Sequence, residues 1–163
     1  MSDIQSSDSP PDTPAEIRKI LVTTDFSDQA LPGVARAASL ARRLDADLVI
    51  LHTVEDQLPP ILGTLTVEDR AKILEDQRDR AEKHLADYAQ EHLAGCRVET
   101  VTLIGVPERD IVEQAEARGV DLIVIASHGY GPLRQLLLGS TAERVLHHAP
   151  CPVLIVPSRG KKG

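Results

Sequence analysis

From residue 17 onward, short apolar runs alternate with longer segments in which apolar residues recur every three or four positions. Residues 17–23 (IRKILVT) and 47–54 (DLVILHTV) have the apolar centres expected of strands. Residues 97–104, 122–126 (LIVIA) and 152–156 (PVLIV) bring the set to five. LIVIA has no polar position at all, the pattern of a strand covered on both faces. Leu31, Val34, Ala38 and Ala41 share one helical face, which predicts a helix from a Ser27 N-cap to about Arg43. Leu74, Ala81, Leu85 and Tyr88 form the stripe of a longer helix. The capping-box sequence Thr66-Val67-Glu68-Asp69 opens it, and Gly95 is placed to stop it after about Leu93. The acidic residues between 68 and 79 fit its solvated face.

Pro107 suits the first turn of a third helix, with Glu108 and Asp110 near its positive end, Arg118 near its negative end and Gly119 beyond. Ser140-Thr141-Ala142-Glu143 is a second capping-box match, opening a last helix that finishes before Pro150. Strands alternating with helices imply βαβ units and an α/β fold, an open five-stranded parallel sheet with helices on both faces. One domain over residues 16–158 is expected. Residues 1–15, rich in Ser, Asp and Pro, read as a disordered tail, and 159–163 as a flexible one. In such sheets ligands bind outside the carboxyl ends of the strands, where the strand order reverses. That rule points to Thr23-Thr24-Asp25, Thr53-Val54 and residues 126–140.

Charge narrows the ligand. The net charge is −7 and aromatic residues make up 2% of the chain, so it lacks both the basic stripe and the stacking platforms of a nucleic-acid binder. An acidic protein can still hold a small phosphate compound on the amide groups of a helix start. No apolar run approaches the ~18 residues that span a bilayer. The first residues have neither the basic nor the apolar region of a signal peptide, so a cytoplasmic location is expected. Cys96 and Cys151 form no metal-ligand spacing and read as reduced, small hydrophobes; a disulfide between them would need a proximity the sequence does not show. The scattered histidines give no metal spacing either.

The most informative stretch is residues 125–141, IASHGYGPLRQLLLGST. It leaves the buried fourth strand through small residues, loops out, and enters a helix at Gly139-Ser140. Glycines permit close backbone approach to a ligand, and the first amides of a helix have no internal partner. Together these make a candidate phosphate cradle, or equally an ordinary glycine-rich turn and cap. There is no GxxxxGK[ST], no complete GxGxxG (position 134 is Arg) and no GxSxG.

ILVTTDFSDQA, LVILHTVED, LIGVPERDI and the block IASHGYGPLRQLLLGSTAERVLHHAPCPVLIV resemble, in this order, the single-domain universal stress protein family over residues 16–157. The resemblance implies a Rossmann-like, nucleotide alpha-hydrolase-like fold. Nucleotide-binding members carry Gly-x2-Gly-x9-Gly-Ser/Thr. Here Gly129, Gly139 and Ser140 match, while Ala126 replaces the first glycine and is expected to add one methyl beside the nucleotide. By resemblance, Thr23, Thr24 and Asp25 contact the adenosine portion and Thr53 meets adenine through its backbone. Ala126 and Gly129 flank ribose and phosphates, and Gly139, Ser140 and Thr141 hold phosphate oxygens. ATP, or AMP or another adenine nucleotide, is the implied ligand, with Mg²⁺ held mainly by the phosphates. The family also pairs its last strand, residues 151–156, across a two-fold axis, which implies a homodimer. His128 and Arg134 are further candidates for phosphate contact, and a surface role for each stays open. Three functions remain: a nucleotide-dependent stress or signalling protein, a nucleotide-independent dimeric adaptor or chaperone-like protein, and a slow ATP hydrolase or phosphotransferase. The last ranks lowest, because no nucleophile-orienting residue can be named.

Overall fold

The structure is a computed structural model that describes residues 16–57, 66–127 and 138–158. The described elements follow the order β1 (Lys19–Thr23), α1 (Leu31–Leu44), β2 (Asp47–Glu55), α2 (Val67–His92), β3 (Val98–Gly105), α3 (Pro107–Ala117), β4 (Leu122–Ser127), α4 (Ser140–His148) and β5 (Val153–Pro157). The strands form one parallel sheet in the order β3-β2-β1-β4-β5. Its order reverses between β1 and β4.

Strand alternation divides the core into two layers. Ile20, Val22, Leu48, Ile50, Leu122 and Val124 face α1 and α2, meeting Val34, Ala38, Leu85 and Ala89. Leu21, Val49, Leu51, Ile123 and Ile125 face the other way, onto Ile111 and Ala115 of α3 and Ala142 and Val145 of α4. β1 and β4 are covered on both sides, which is why their sequences lack the polar alternation of a half-exposed strand.

Helix boundaries differ from the sequence pattern in two places. α1 begins at Leu31, not after Ser27, because Pro32 fits only the first turn of a helix. Ser27 instead closes a preceding turn, its Oγ and carbonyl both accepting from the Ala30 amide (3.2 and 3.1 Å). α2 starts as its sequence predicts: Thr66 Oγ1 accepts from the Asp69 amide and Asp69 Oδ2 from the Thr66 amide, each at 3.1 Å. The Ser140 box does not form. Gly139 takes the extended N-cap position (φ −63°, ψ 151°) and Ser140 is already helical, so its hydroxyl is not placed to cap. Gly95 (φ 78°) and Gly119 (φ 59°) end α2 and α3 in the left-handed conformation that glycine adopts without strain.

Both cysteines are half-buried and free. Burial pushes the Cys151 thiol up, while Cys96 Sγ donates to the Ala38 carbonyl at 3.6 Å. Among the described residues, no helix is long and apolar enough to cross a membrane.

Candidate functional site

β1 is short. It ends at Thr23, opposite Leu51, while β2 continues to Glu55 beside Gly105 of β3, and β4 continues to Ser127 beside Pro157 of β5. The sheet therefore has a notch at its carboxyl edge, above β1. The Thr24 amide donates to the Leu51 carbonyl (3.0 Å), so the Leu51 peptide faces β1. Backbone groups two residues apart point to the same side of a strand. Thr53 therefore turns its amide and carbonyl toward the notch, past the point where β1 stops.

The turn after β1 is held tightly. Thr24 is 4% exposed, and its Oγ1 accepts from the Phe26 amide at 3.0 Å. Phe26 has φ 64°, a left-handed backbone that a bulky side chain adopts only when its surroundings compel it. Its ring contacts His52 and His84, both at 4.3 Å between centroids, and Tyr88 at 5.6 Å. His52 Nδ1 lies 2.9 Å from the Thr24 carbonyl. A carbonyl only accepts, so Nδ1 carries the hydrogen. Burial pushes His52 below its usual 6.5, against the opposing pull of the Thr24 carbonyl and Asp25. Asp25 Oδ1 accepts from the Ser27 amide (3.0 Å) and hydroxyl (2.5 Å), which orients the carboxylate at the strand tip.

Ala126 is 3% exposed, and alternation along β4 directs its methyl to the α1 side. The same edge is tied together by Ser158: its hydroxyl shares its one hydrogen between the carbonyls of Ser127 and, at 3.0 Å, Gln29. The end of β5 thus fixes the end of β4 to the turn before α1.

α4 follows β4 in a parallel βα unit and so begins at this edge. Its first helical bond runs from the Glu143 amide to the Gly139 carbonyl (2.9 Å). The amides of Ser140, Thr141 and Ala142 have no partner within the helix, and Gly139 has no side chain to offer one. A helix start of this kind carries positive potential suited to an anion.

On the α3 side of the edge, Thr53 Oγ1 donates to Asp110 Oδ2 at 2.9 Å. Asp110 does not sit at the solvated start of α3, where its sequence position suggested a dipole role. It is 9% exposed, and burial pushes its carboxyl up, opposed by the Thr53 bond. Glu108, by contrast, pairs with Arg144 of α4.

Of the residues singled out in the sequence, Thr23, Thr24, Asp25, Thr53, Ala126, Gly139, Ser140 and Thr141 lie at this one edge by topology and register. Gly129, His128 and Arg134 lie outside the described residues. A separate groove of about 710 Å³ lies at the opposite, amino end, lined by Glu16, Arg18, Asp45, Asp47 and Arg97 among others. Its charges are largely spent on one another, Arg97 pairing with Asp45 at 2.7 Å and Asp47 at 2.6 Å. Among the described residues, no group of three His, Cys, Asp or Glu could hold a metal ion.

The model of the universal stress protein family matches residues 16–157. The chain belongs to the universal stress protein family. Universal stress protein MJ0531 of Methanocaldococcus jannaschii is 36% identical over 149 residues, covering 89% of this chain and 85% of that protein. The solved structure of hypothetical protein MJ0577 superposes with a TM-score of 0.75 at 28% identity, covering 90% of this chain and 100% of that one. A universal stress protein crystallised in complex with cAMP superposes with a TM-score of 0.62 at 26% identity, covering 89% and 100%. The five-stranded parallel sheet with helices on both faces is the fold of this family.

Within that family fold, sequence reasoning missed His52, Asp110 and Ser158 as parts of the edge. His52 was hidden inside a strand pattern, although a histidine among apolar neighbours at a strand's carboxyl end is itself a signal. Asp110 and Ser158 carry no local signal, since their partners lie 57 and 129 residues away.

Proposed function

We propose that this chain is a cytoplasmic adenine-nucleotide-binding protein of the stress response or of signalling. ATP is the expected ligand, and the chain acts as a homodimer whose nucleotide state biases a protein partner. The observation that carries the reading is that two features lie at the same carboxyl edge of the sheet. These are the α4 start, with amides no glycine side chain can cap, and the Thr53 backbone turned past the end of β1. The first suits phosphate, and the second suits the hydrogen-bonding edge of a base. Support also comes from the relative solved with cAMP, an adenine nucleotide.

Thr23, Thr24, Asp25 and Thr53 would hold the adenosine portion, and Ala126, Gly129, Gly139, Ser140 and Thr141 the ribose and phosphates. Mg²⁺ would be carried by the phosphates. The domain would occupy residues 16–158. The reading is one of binding, and slow hydrolysis ranks below it.

The test is a thermal shift with Mg-ATP. A ligand that binds only the folded state adds about 2.7 kcal/mol at ~100 times its Kd. The shift is expected in the native chain and lost in Gly139→Val, and its absence at millimolar ATP would overturn the reading. Mass analysis of small molecules released from the purified protein distinguishes ATP from AMP or a cyclic nucleotide.

A further inference from the structure

β1 gives out at Thr23, so Thr24 is placed by bonds beyond the regular ladder. Its amide donates to the Leu51 carbonyl (3.0 Å), its Oγ1 accepts from the Phe26 amide (3.0 Å), and its carbonyl accepts from His52 Nδ1 (2.9 Å). The first bond joins backbone to backbone and asks nothing of the side chains of β2. The third is made by one of them. The Thr24 carbonyl belongs to the planar peptide unit before Asp25, and the Phe26 amide to the unit after it. Both planes that meet at the Asp25 Cα are therefore held, one by His52 and the other by Thr24 Oγ1. Phe26, with φ 64°, is kept in place by ring contacts to His52, His84 and Tyr88. Ser27 then orients the Asp25 carboxylate from its far side.

We propose that His52 is a positioning residue that sets Asp25 for the ligand by pinning the Thr24 carbonyl. The inference rests on the nucleotide reading above and deepens it, adding a residue that acts without touching the nucleotide. Thr24 is 4% exposed, so its carbonyl would be left without a donor if His52 lost its ring N–H. An unpaired buried carbonyl is costly, and the turn would rotate to pair it. That rotation turns the peptide plane from which Asp25 departs. Hydrogen bonds weaken steeply as they bend, so a displaced carboxylate holds a ligand hydroxyl or amine poorly. The chemistry of the donor also fits. Burial holds the ring below its usual 6.5, against the pull of the Thr24 carbonyl, Asp25 and Glu55, with His84 acting in the same direction as burial. A neutral imidazole brings a hydrogen to the carbonyl without setting a positive charge beside Asp25. A lysine or arginine there would pair with the carboxylate and draw it away from the ligand.

The experiment is calorimetric titration of the full chain with Mg-ATP, repeated for His52→Phe and His52→Asn, with Tm recorded for each. His52→Phe keeps a ring beside Phe26 and removes the donor. His52→Asn loses the ring but carries an N–H donor at the branch position that Nδ1 occupies. His52→Leu, also without a donor, replaces the first variant if that one folds poorly. The variant without a donor is expected to bind about tenfold more weakly, the scale of one lost hydrogen bond. His52→Asn should stay within about twofold of the native chain, whatever its Tm. A merely structural role would make affinity follow Tm and give the asparagine no advantage. Affinity within about twofold of native in a folded variant without the donor, or an equal loss in His52→Asn, overturns the proposal and leaves the nucleotide site standing. Failure of the native chain to bind Mg-ATP removes the nucleotide reading and this inference with it.

Discussion

A Cβ placed on Gly33 would lie 3.2 Å from the Ala126 amide nitrogen and 3.3 Å from the Ala126 Cβ. Helix α1 therefore lies directly on the end of β4, and the Ala126 methyl packs beneath that helix. The methyl carbon of Ala126 thus contacts α1 at Gly33. The family resemblance also sets this methyl beside the nucleotide, where Ala126 stands for the first motif glycine.

Two substitutions test that contact. Gly33→Val overpacks a site with backbone on its far side and is expected to cost about 1–3 kcal/mol, read as a lowered denaturant midpoint. Ala126→Gly is expected to lose ~1 kcal/mol of stability through strand entropy and lost packing. It should leave ATP affinity within about twofold. A large gain in affinity by calorimetry would show that the methyl does reach the ligand.

The cap of α4 separates stability from binding. Gly139 has an ordinary extended backbone, so Asp is tolerated there without strain. Gly139→Asp should stabilise the helix by roughly a few tenths of a kcal/mol by accepting from its first amides. The same carboxylate occupies the anion's place, so nucleotide affinity should collapse. A variant with raised Tm and unchanged ATP binding would remove the helix start from the site.

His52 gives the fold an acid-side weakness. Its folded pKa is depressed below the 6.5 of the free side chain, chiefly by burial. Below pH 6.5 the unfolded chain takes up a proton that the folded chain refuses, and stability falls until the lower folded pKa is passed. His52→Gln should flatten that slope, as measured by urea unfolding across pH 7 to 5. Asp25, Glu55 and His84 also bear on this ring, so the comparison is made against the native chain at each pH.

Asp110 slopes the other way. Its folded pKa is raised above 3.8, again chiefly by burial, so the folded chain holds the proton more strongly than the unfolded one. Stability is therefore lost as pH rises from 3.8 through the folded value. Asp110→Asn should raise Tm at pH 7, and the gain should vanish near pH 4.

The open edge of β5 is the place to test the homodimer. The Ile123 amide donates to the Pro152 carbonyl, so residues 152, 154 and 156 face β4 while 153, 155 and 157 turn their backbone groups outward. Ile155→Pro removes an outward N–H and leaves the β4 ladder whole. Light scattering should give a dimer mass for the native chain and a monomer mass for this variant; a native monomer would refute pairing through residues 151–156.

The repeating pattern of five apolar runs and intervening helical stripes was enough for the α/β class, because burial imposes a period of two or none on strands and 3.6 on helices. It also carried the α2 capping box, whose partners are three residues apart, and the motif segments later found at one edge. What depended on distant partners was not written locally. The length of β1 relative to β2 and β4 makes the notch, yet nothing in ILVTTD marks where its neighbours continue. The Ser140 box matched in sequence but failed in structure, because the backbone reached extended geometry one residue earlier, at Gly139. Asp110 looked like a helix-dipole residue until β2 and β3 were set beside α3, where desolvation and the Thr53 hydroxyl outweigh a surface dipole. The chain by itself thus determined which segments would be strands and helices, since that follows from local periodicity. Only the tertiary structure decided which polar groups were buried, and against what, because desolvation depends on neighbours brought together from far along the chain.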